Sequence, residues 1–517
     1  MADGRGTDDP AALVERSLSA DAAETFHERV AEQADWLRAQ INAGRFDNAN
    51  FAVGLEMECY AVDPAADHPQ LTELPDAVFD APGTNKELGL HNAEVNTEPT
   101  VFGETGLADQ AAAIREHVTS ARTAARAVDC ELILDGMFSV PPPEGTDAYL
   151  SAIEERNGFV FAENMRPDPR YIAIDNATLK HANGAIELSL PGIERSFPTI
   201  LVESLATSIQ PHLQVPVATE FPAYYNTAIR TMGPVLALAT NSPFAPADLY
   251  GEVADPAALL DETHHELRIA VFEQSVNATQ NPKVKVPRDV DTPGDVLDRL
   301  VDDDLYAPFL REWIEGDIPR ETLEGRVWEL DHKRGTYWRW LRAVIGGDHV
   351  DANNDEHSLR IEYRPLPTQP TVTDVIGLQA LTAGLVRGLV AADHPIVELP
   401  WEAAQRSFYA AARNGLDADI AWVTADGERT GDRGVIYDEI FTYASRGLEE
   451  SGVPPAAIER YLAPIRTRWS ERRTPSRWKV HRVRDALESG MEFAEALAEM
   501  QQAYIERSLT VDSFADF

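Results

Sequence analysis

The 517-residue chain carries 45 Lys and Arg against 86 Asp and Glu, a formal net charge of −41, and 44% of its residues are hydrophobic. That apolar content supports buried cores in more than one domain and excludes extended disorder, while so anionic a surface excludes a sequence-independent grip on nucleic acid or on an anionic membrane, both of which need a basic face. Self-repulsion on this scale is tolerated where salt screens it, so the composition reads as that of a halophilic protein.

Residues 1–18 are small and acidic, are expected to be mobile, and contain no apolar signal segment. Residues 20–42 place apolar side chains at Phe26, Val30, Ala34, Leu37 and Ile41, which predicts a helix stopping at Gly44. Residues 50–62 predict a strand with Val53, Leu55, Met57 and Cys59 on one side and Glu56 and Glu58 on the other. Further strands are expected at 92–96, 131–134, 185–190, 199–220 and 359–365, and helices at 107–128, 223–239, 257–275 and 373–392. Residues 287–325, rich in Asp and Pro, read as an insertion or accessory helical segment, and 401–506 as mainly helical. The division expected is 1–48 for an acidic arm and helix, 49–395 for the core and 396–517 for a helical C-terminal region. The class is α+β. Cys59 and Cys130 lack metal-ligand or disulfide-framework spacing and read as free thiols. No run approaches the roughly 18 apolar residues of a membrane span, so a cytoplasmic protein is expected.

The chemistry-bearing residues fall on the predicted strands at period two. Glu56 and Glu58 of Gly54-Leu55-Glu56-Met57-Glu58 project from one face, as do Glu94, Asn96 and Glu98 of the next strand. His212 and Gln214 form a third such pair, and Arg360, Glu362 and Arg364 a fourth of mixed charge. Carboxylates crowded in a cavity need a cation to offset their desolvation, and Mg²⁺ takes oxygen ligands shared among carboxylates, water and phosphate. Taken alone, each segment also has a plainer reading: a solvated acidic face for the first two, a structural histidine for His212 and a cross-strand ion pair for Arg360 to Arg364. The island Arg466 to Lys479, with Arg473 and Arg477, reads either as a phosphate contact or as a clamp of the tail onto the acidic body.

In order and content these motifs resemble the second type of glutamate–cysteine ligase, carboxylate–amine ligases related to glutamine synthetase. Gly54 to Glu58 resembles the family's opening G-x-E-x-E strand, and Glu94 with Asn96-Thr97, preceded by Glu87, its next metal-binding strand. Ser208 to Val215 is similar to its H-x-H segment, with Gln214 in the second place. Leu236-Ala-Leu-Ala-Thr-Asn241-Ser242-Pro243-Phe244 matches its A-L-x-x-N-S-P-F signature, Arg268 stands where an arginine is expected, and Ile361-Glu362-Tyr363-Arg364 followed by Gln369 resembles its E-x-R-x-x-D-x-Q segment. Ala411 to Ala418 resembles a late A-R-x-G-L-x-A helix. Pro367 replaces the acid usual before that Gln.

The resemblance implies a curved antiparallel sheet with metals on its concave face and helices outside. It implies an ATP-dependent ligase using Mg²⁺ or Mn²⁺, with glutamate activated as an acyl phosphate and cysteine, or another amine, as acceptor. Glu56, Glu58, Glu94, His212 and Glu362 would be metal ligands. Arg364 or Arg268 would face the transferred group, Asn241 would support the site floor, and Arg364, Arg473 and Arg477 would reach the nucleotide. No Walker-type loop occurs, so metals and arginines would have to hold the phosphates. A non-catalytic relative of the ligases, or a metal-dependent hydrolase, are the other readings.

Overall fold

The computed structural model describes residues 10–65, 68–314, 322–346, 350 and 357–517. Its centre is an antiparallel sheet whose main path uses six strands: β1 (Ala52–Asp63), β2 (Thr84–Lys86), β3 (Asn92–Val101), β4 (Ser208–Val215), β5 (Leu341–Ile345) and β6 (Leu359–Tyr363). Across the sheet they run β5-β6-β4-β1-β3-β2, and short pieces at Gln70–Leu71, Glu131–Ile133 and Leu366–Pro367 extend β1 and β4. The expected α+β class holds.

Alternation along each strand sorts the residues onto two faces. Val53, Leu55, Met57 and Cys59 of β1, Ala93 and Val95 of β3 and Leu213 of β4 are buried in the core. Helix Glu104–Arg126 packs behind β3 through Leu107, Ala111, Ile114 and Val118, and helix Val372–Ala391 packs behind β4. The latter is long and apolar enough to cross a bilayer, but 83% of its most apolar window is buried inside the fold. Its Thr371 cap receives the Asp374 N–H. Helix Arg433–Glu450 lies against it so closely that a Cβ on Gly388 would meet the Tyr443 carbonyl at 2.0 Å. Thus the helices between Trp401 and Ser470 share the central core with the sheet, while Pro475–Glu488 and Phe493–Thr510 pack in a second cluster.

Several expectations are corrected. Pro10–Ser17 is a helix with Leu13 and Val14 buried, so within the described part of residues 1–18 the chain is ordered by packing on Pro169–His181. Within 199–220 only Ser208–Val215 is a strand, because Thr199 caps a short 3₁₀ turn at Ile200–Leu205. The helix expected over 257–275 is broken into Pro256–Glu262 and Leu267–Val276. At the break the Glu266 N–H turns to the Ala412 carbonyl and the Leu267 N–H to the Ser242 carbonyl. Residues 185–190 pair only with Ile193–Phe197, in a separate hairpin. In the 287–325 region Val296, Leu297 and Leu300 are buried and pack their helix on Ala20–Asn42; residues 315–321 lie outside the described ones.

Candidate active site

Residues directly opposite each other in a sheet share a face, so the register alone assembles the polar rows. Glu58 of β1 faces Glu94 of β3, Glu56 stands between Asn96 and Gln210, and His212 faces Glu362, which in turn faces Arg342 of β5. These rows floor a cavity of about 480 Å³ lined by Glu56, Glu58, Glu94, Gln210, Arg342 and Arg364, among others. Where β3 passes Pro99, which has no N–H to pair, its register with β1 shifts between Val53 and Leu55, and Thr97 Oγ1 accepts the Leu55 N–H instead. Beside that irregularity Glu98 is exposed, and of Glu94, Asn96 and Glu98 only Glu94 lines the cavity.

The five expected ligands do not form one tight cluster. One ligand atom from each of Glu56, His212 and Glu362 lies within 4.8 Å of the others. His212 is buried, its Nε2 is 3.1 Å from Glu56 Oε1, and neither ring nitrogen makes a well-directed hydrogen bond among the described residues. Burial raises the Glu56 carboxyl, but His212 and Arg342 bring it below the usual range. Glu362, wholly buried, is gripped by Arg342 through Nε at 2.5 Å and Nη2 at 2.8 Å, and by Arg364. Burial opposes ionisation there too, and the two guanidiniums hold the carboxyl well below its ordinary value.

Glu58 and Glu94 form the other part. Glu58 accepts the Ser208 N–H at 2.6 Å and Gln210 Nε2 at 2.9 Å, yet burial and neighbouring Glu87 push it up to about 7. Glu94 is held well above the carboxylate range by burial and by Glu56, Glu87 and Glu58. Such strain marks a place where a cation would be stabilising. Imidazole and carboxylate donors with a buried, poorly partnered ring fit a divalent ion: Glu56, His212 and one oxygen of Glu362 at one position, Glu58 and Glu94 at the other.

Arginines line the same cavity, and of these only Arg364 is among the residues the sequence singles out. Its Nη1 donates to Gln210 Oε1 at 2.7 Å. Arg342, Arg334 and Arg170 also line the cavity; Arg334 pairs with Asp331 at 2.7 Å, and Arg170 donates to the His332 carbonyl at 3.2 Å. Glu203, whose neighbours on its 3₁₀ turn are buried, faces the same space. The only signal for Arg342 was its place two residues after Trp340 in a run too apolar to show a period. Phe272, Val276, Trp328 and Trp338 supply an apolar wall.

His212 and Glu362 touch the lining residues Glu56 and Arg342 without lining the cavity themselves, and four other expected site residues lie elsewhere. Arg268 is 3% exposed, is absent from the cavity lining, and donates to Glu266 and to the Arg364 and Pro365 carbonyls. Asn241 is fully buried behind the floor, donating to the Thr368 carbonyl at 2.8 Å and to the Tyr504 hydroxyl at 2.9 Å. Arg473 reaches the Phe517 carbonyl at 2.5 Å and Arg477 pairs with Asp417. The basic island is therefore spent on protein partners, Arg468 on Asp374 and Lys479 on Asp135 included, as the clamp reading expects.

Among solved structures the chain is similar to glutamate–cysteine ligase from Francisella tularensis in complex with AMP, at 11% identity and a TM-score of 0.48, covering 90% of each chain. It is also similar to a bifunctional glutathione synthetase from Pasteurella multocida, at 14% identity and 0.48, covering 92% of this chain and 55% of that one. The ligase PafA in complex with the protein Pup follows at 11% and 0.39, covering 88% and 73%. No curated protein matches by sequence. The family model of glutamate–cysteine ligase family 2 (GCS2) matches residues 52–509. With the motifs on their strands and the model matched over nearly the whole chain, the protein belongs to glutamate–cysteine ligase family 2, a family of ATP-dependent carboxylate–amine ligases.

Proposed function

We propose that this ligase joins the γ-carboxylate of glutamate to the amine of cysteine through an acyl phosphate. The observation that carries the reading is the meeting, in one cavity, of carboxylates, Glu56 among them with His212 beside it, and arginines. A substrate carboxylate oxygen attacks the γ-phosphorus of ATP and the bond to ADP breaks. The amine nitrogen then attacks the acyl carbon, phosphate departs, and the nitrogen gives up its proton. Bound Mg²⁺ or Mn²⁺ supplies charge neutralisation across the phosphates.

The protein's own part is placement and electrostatics. Arg364, fixed by Gln210 and Glu362, faces the space where charge accumulates on the transferred phosphoryl group, and Arg342 backs it through the same carboxylate. Glu58 is aimed by the Ser208 N–H. Arg334 and Arg170 offer positive charge to a substrate carboxylate, and Glu87 and Glu203, whose carboxyls burial pushes up, Glu203 to about 8, offer oxygen acceptors whose ionisation a bound ammonium would favour. Arg473 and Arg477 take no part in this reading.

The apolar wall of Phe272, Val276, Trp328 and Trp338 favours one alternative, the same chemistry with an acceptor bulkier and more apolar than cysteine. ADP release in molar salt with Mg²⁺ and glutamate, with and without each amine, tests both. Stimulation by cysteine above other amines supports the first; preference for a larger apolar amine supports the second. No ADP release with any acceptor refutes the ligase reading.

A further inference from the structure

None of Asn241, Ser242, Pro243 or Phe244 lines the cavity, although this segment matches the family's A-L-x-x-N-S-P-F signature. What it does contact is Glu266, which is fully buried and uses both carboxylate oxygens. Glu266 Oε2 accepts the Asn241 N–H at 2.9 Å, and Oε1 accepts Ser242 Oγ at 2.6 Å and Arg268 Nε at 3.3 Å. Ser242 Oγ also accepts the Arg268 N–H at 3.3 Å. The two segments are bridged backbone to backbone at Ser242 and Glu266, which is why the helix expected there breaks.

Arg268 then reaches the chain that leaves β6. Its Nη2 donates to the Arg364 carbonyl at 3.4 Å and to the Pro365 carbonyl. Pro365 and Pro367 have no N–H, so the N–H groups that hold this stretch alternate, Arg364 giving its own to the Trp340 carbonyl at 3.1 Å and Leu366 pairing with Ile209, while Arg268 takes the Arg364 and Pro365 carbonyls. Asn241 Nδ2 takes a third, that of Thr368, at 2.8 Å. The Arg364 backbone is thereby fixed on one side while its guanidinium lies against Gln210 and Glu362 on the other.

We propose that Ser242, Glu266 and Arg268 are positioning residues that set the direction of Arg364, so that Arg268 acts through Arg364 and not on the substrate. The inference rests on the ligase reading for the task Arg364 performs. A displaced Arg364 loses complementarity to charge that develops late, so the loss falls on kcat and not on ground-state binding.

The test is a double-mutant cycle on ADP release. Ser242→Ala is expected to lower kcat about tenfold with KM for ATP and glutamate within about twofold, while Ser242→Thr, which keeps the hydroxyl, restores most of it. In an Arg364→Lys background Ser242→Ala should cost almost nothing more, since the group it positions is gone. The full tenfold loss in that background, or a raised KM with kcat intact, would overturn the relay. Should Ser242→Ala not fold, Glu266→Gln enters the same cycle. If the wild-type protein releases no ADP with any acceptor, the ligase reading fails and crystal structures of the variants decide the relay alone: Arg364 moved off Gln210 sustains it, and Arg364 unmoved refutes it.

Discussion

Replacing Arg342 by Met removes two of the three guanidinium hydrogen bonds that grip Glu362. The guanidinium makes two charge-assisted hydrogen bonds, at 2.5 and 2.8 Å, to a carboxylate with no exposure. Leaving a buried charge without its partner costs about 3–5 kcal/mol. Here Arg364 still touches Glu362 Oε1, so the cost falls to or below the lower end of that range, about 2–3 kcal/mol. The sign of the pH dependence follows from the depressed carboxyl. A group with its folded pKa below the unfolded value contributes its stability above the unfolded pKa, about 4.3 for Glu, and loses it as pH falls through the folded one. Urea unfolding in constant molar salt should therefore separate wild type and Arg342→Met most at pH 7, with the gap closing in acid. A difference under about 0.5 kcal/mol at pH 7, or one independent of pH, would refute a desolvated Glu362–Arg342 pair.

The raised Glu58 carboxyl predicts the opposite slope: with its folded pKa near 7, ionising it costs stability that is absent in acid, grows as pH rises from the unfolded value and is complete above 7. Glu58→Gln should flatten the decline in metal-free stability between pH 5 and 8, and an unchanged slope would contradict the reading. Asp135→Asn strands the buried Lys479 ammonium and should lower the unfolding free energy by about 3–5 kcal/mol, with the C-terminal helices released first in hydrogen exchange; an unaltered midpoint would show that the pair is not desolvated. Arg473→Ala, whose contacts are the Phe517 carbonyl and the Phe514 ring, should leave KM for ATP within about twofold of wild type. A large rise would return Arg473 to the nucleotide.

Period-two patterning made the ligand-bearing face readable. Leu55, Met57 and Cys59 fill the core while Glu56 and Glu58 turn to the cavity, and the same alternation separates Val95 from Glu94 and Leu213 from His212. Register was not readable, because nothing local to Glu362 says that it will face His212 on one side and Arg342 on the other. Arg342 itself lies among Trp340, Leu341, Val344 and Ile345, where buried residues on both faces erase alternation. Arg268 was legible as important but not in its role, since its partners come from residues 266, 364 and 365, in two separate segments. The cationic island stays ambiguous in the sequence for a related reason: the acids that neutralise it, Asp135, Asp374 and Asp417, are distant along the chain.

The account stands on divalent ions held beside the arginines by Glu56, His212 and Glu362. Electron paramagnetic resonance titration of Mn²⁺ in molar KCl, which suppresses loose binding to the acidic surface, measures this directly. Wild type should show a saturable site whose affinity drops by at least about tenfold in His212→Ala and in Glu56→Gln. Equal Mn²⁺ affinity in all three proteins would contradict it.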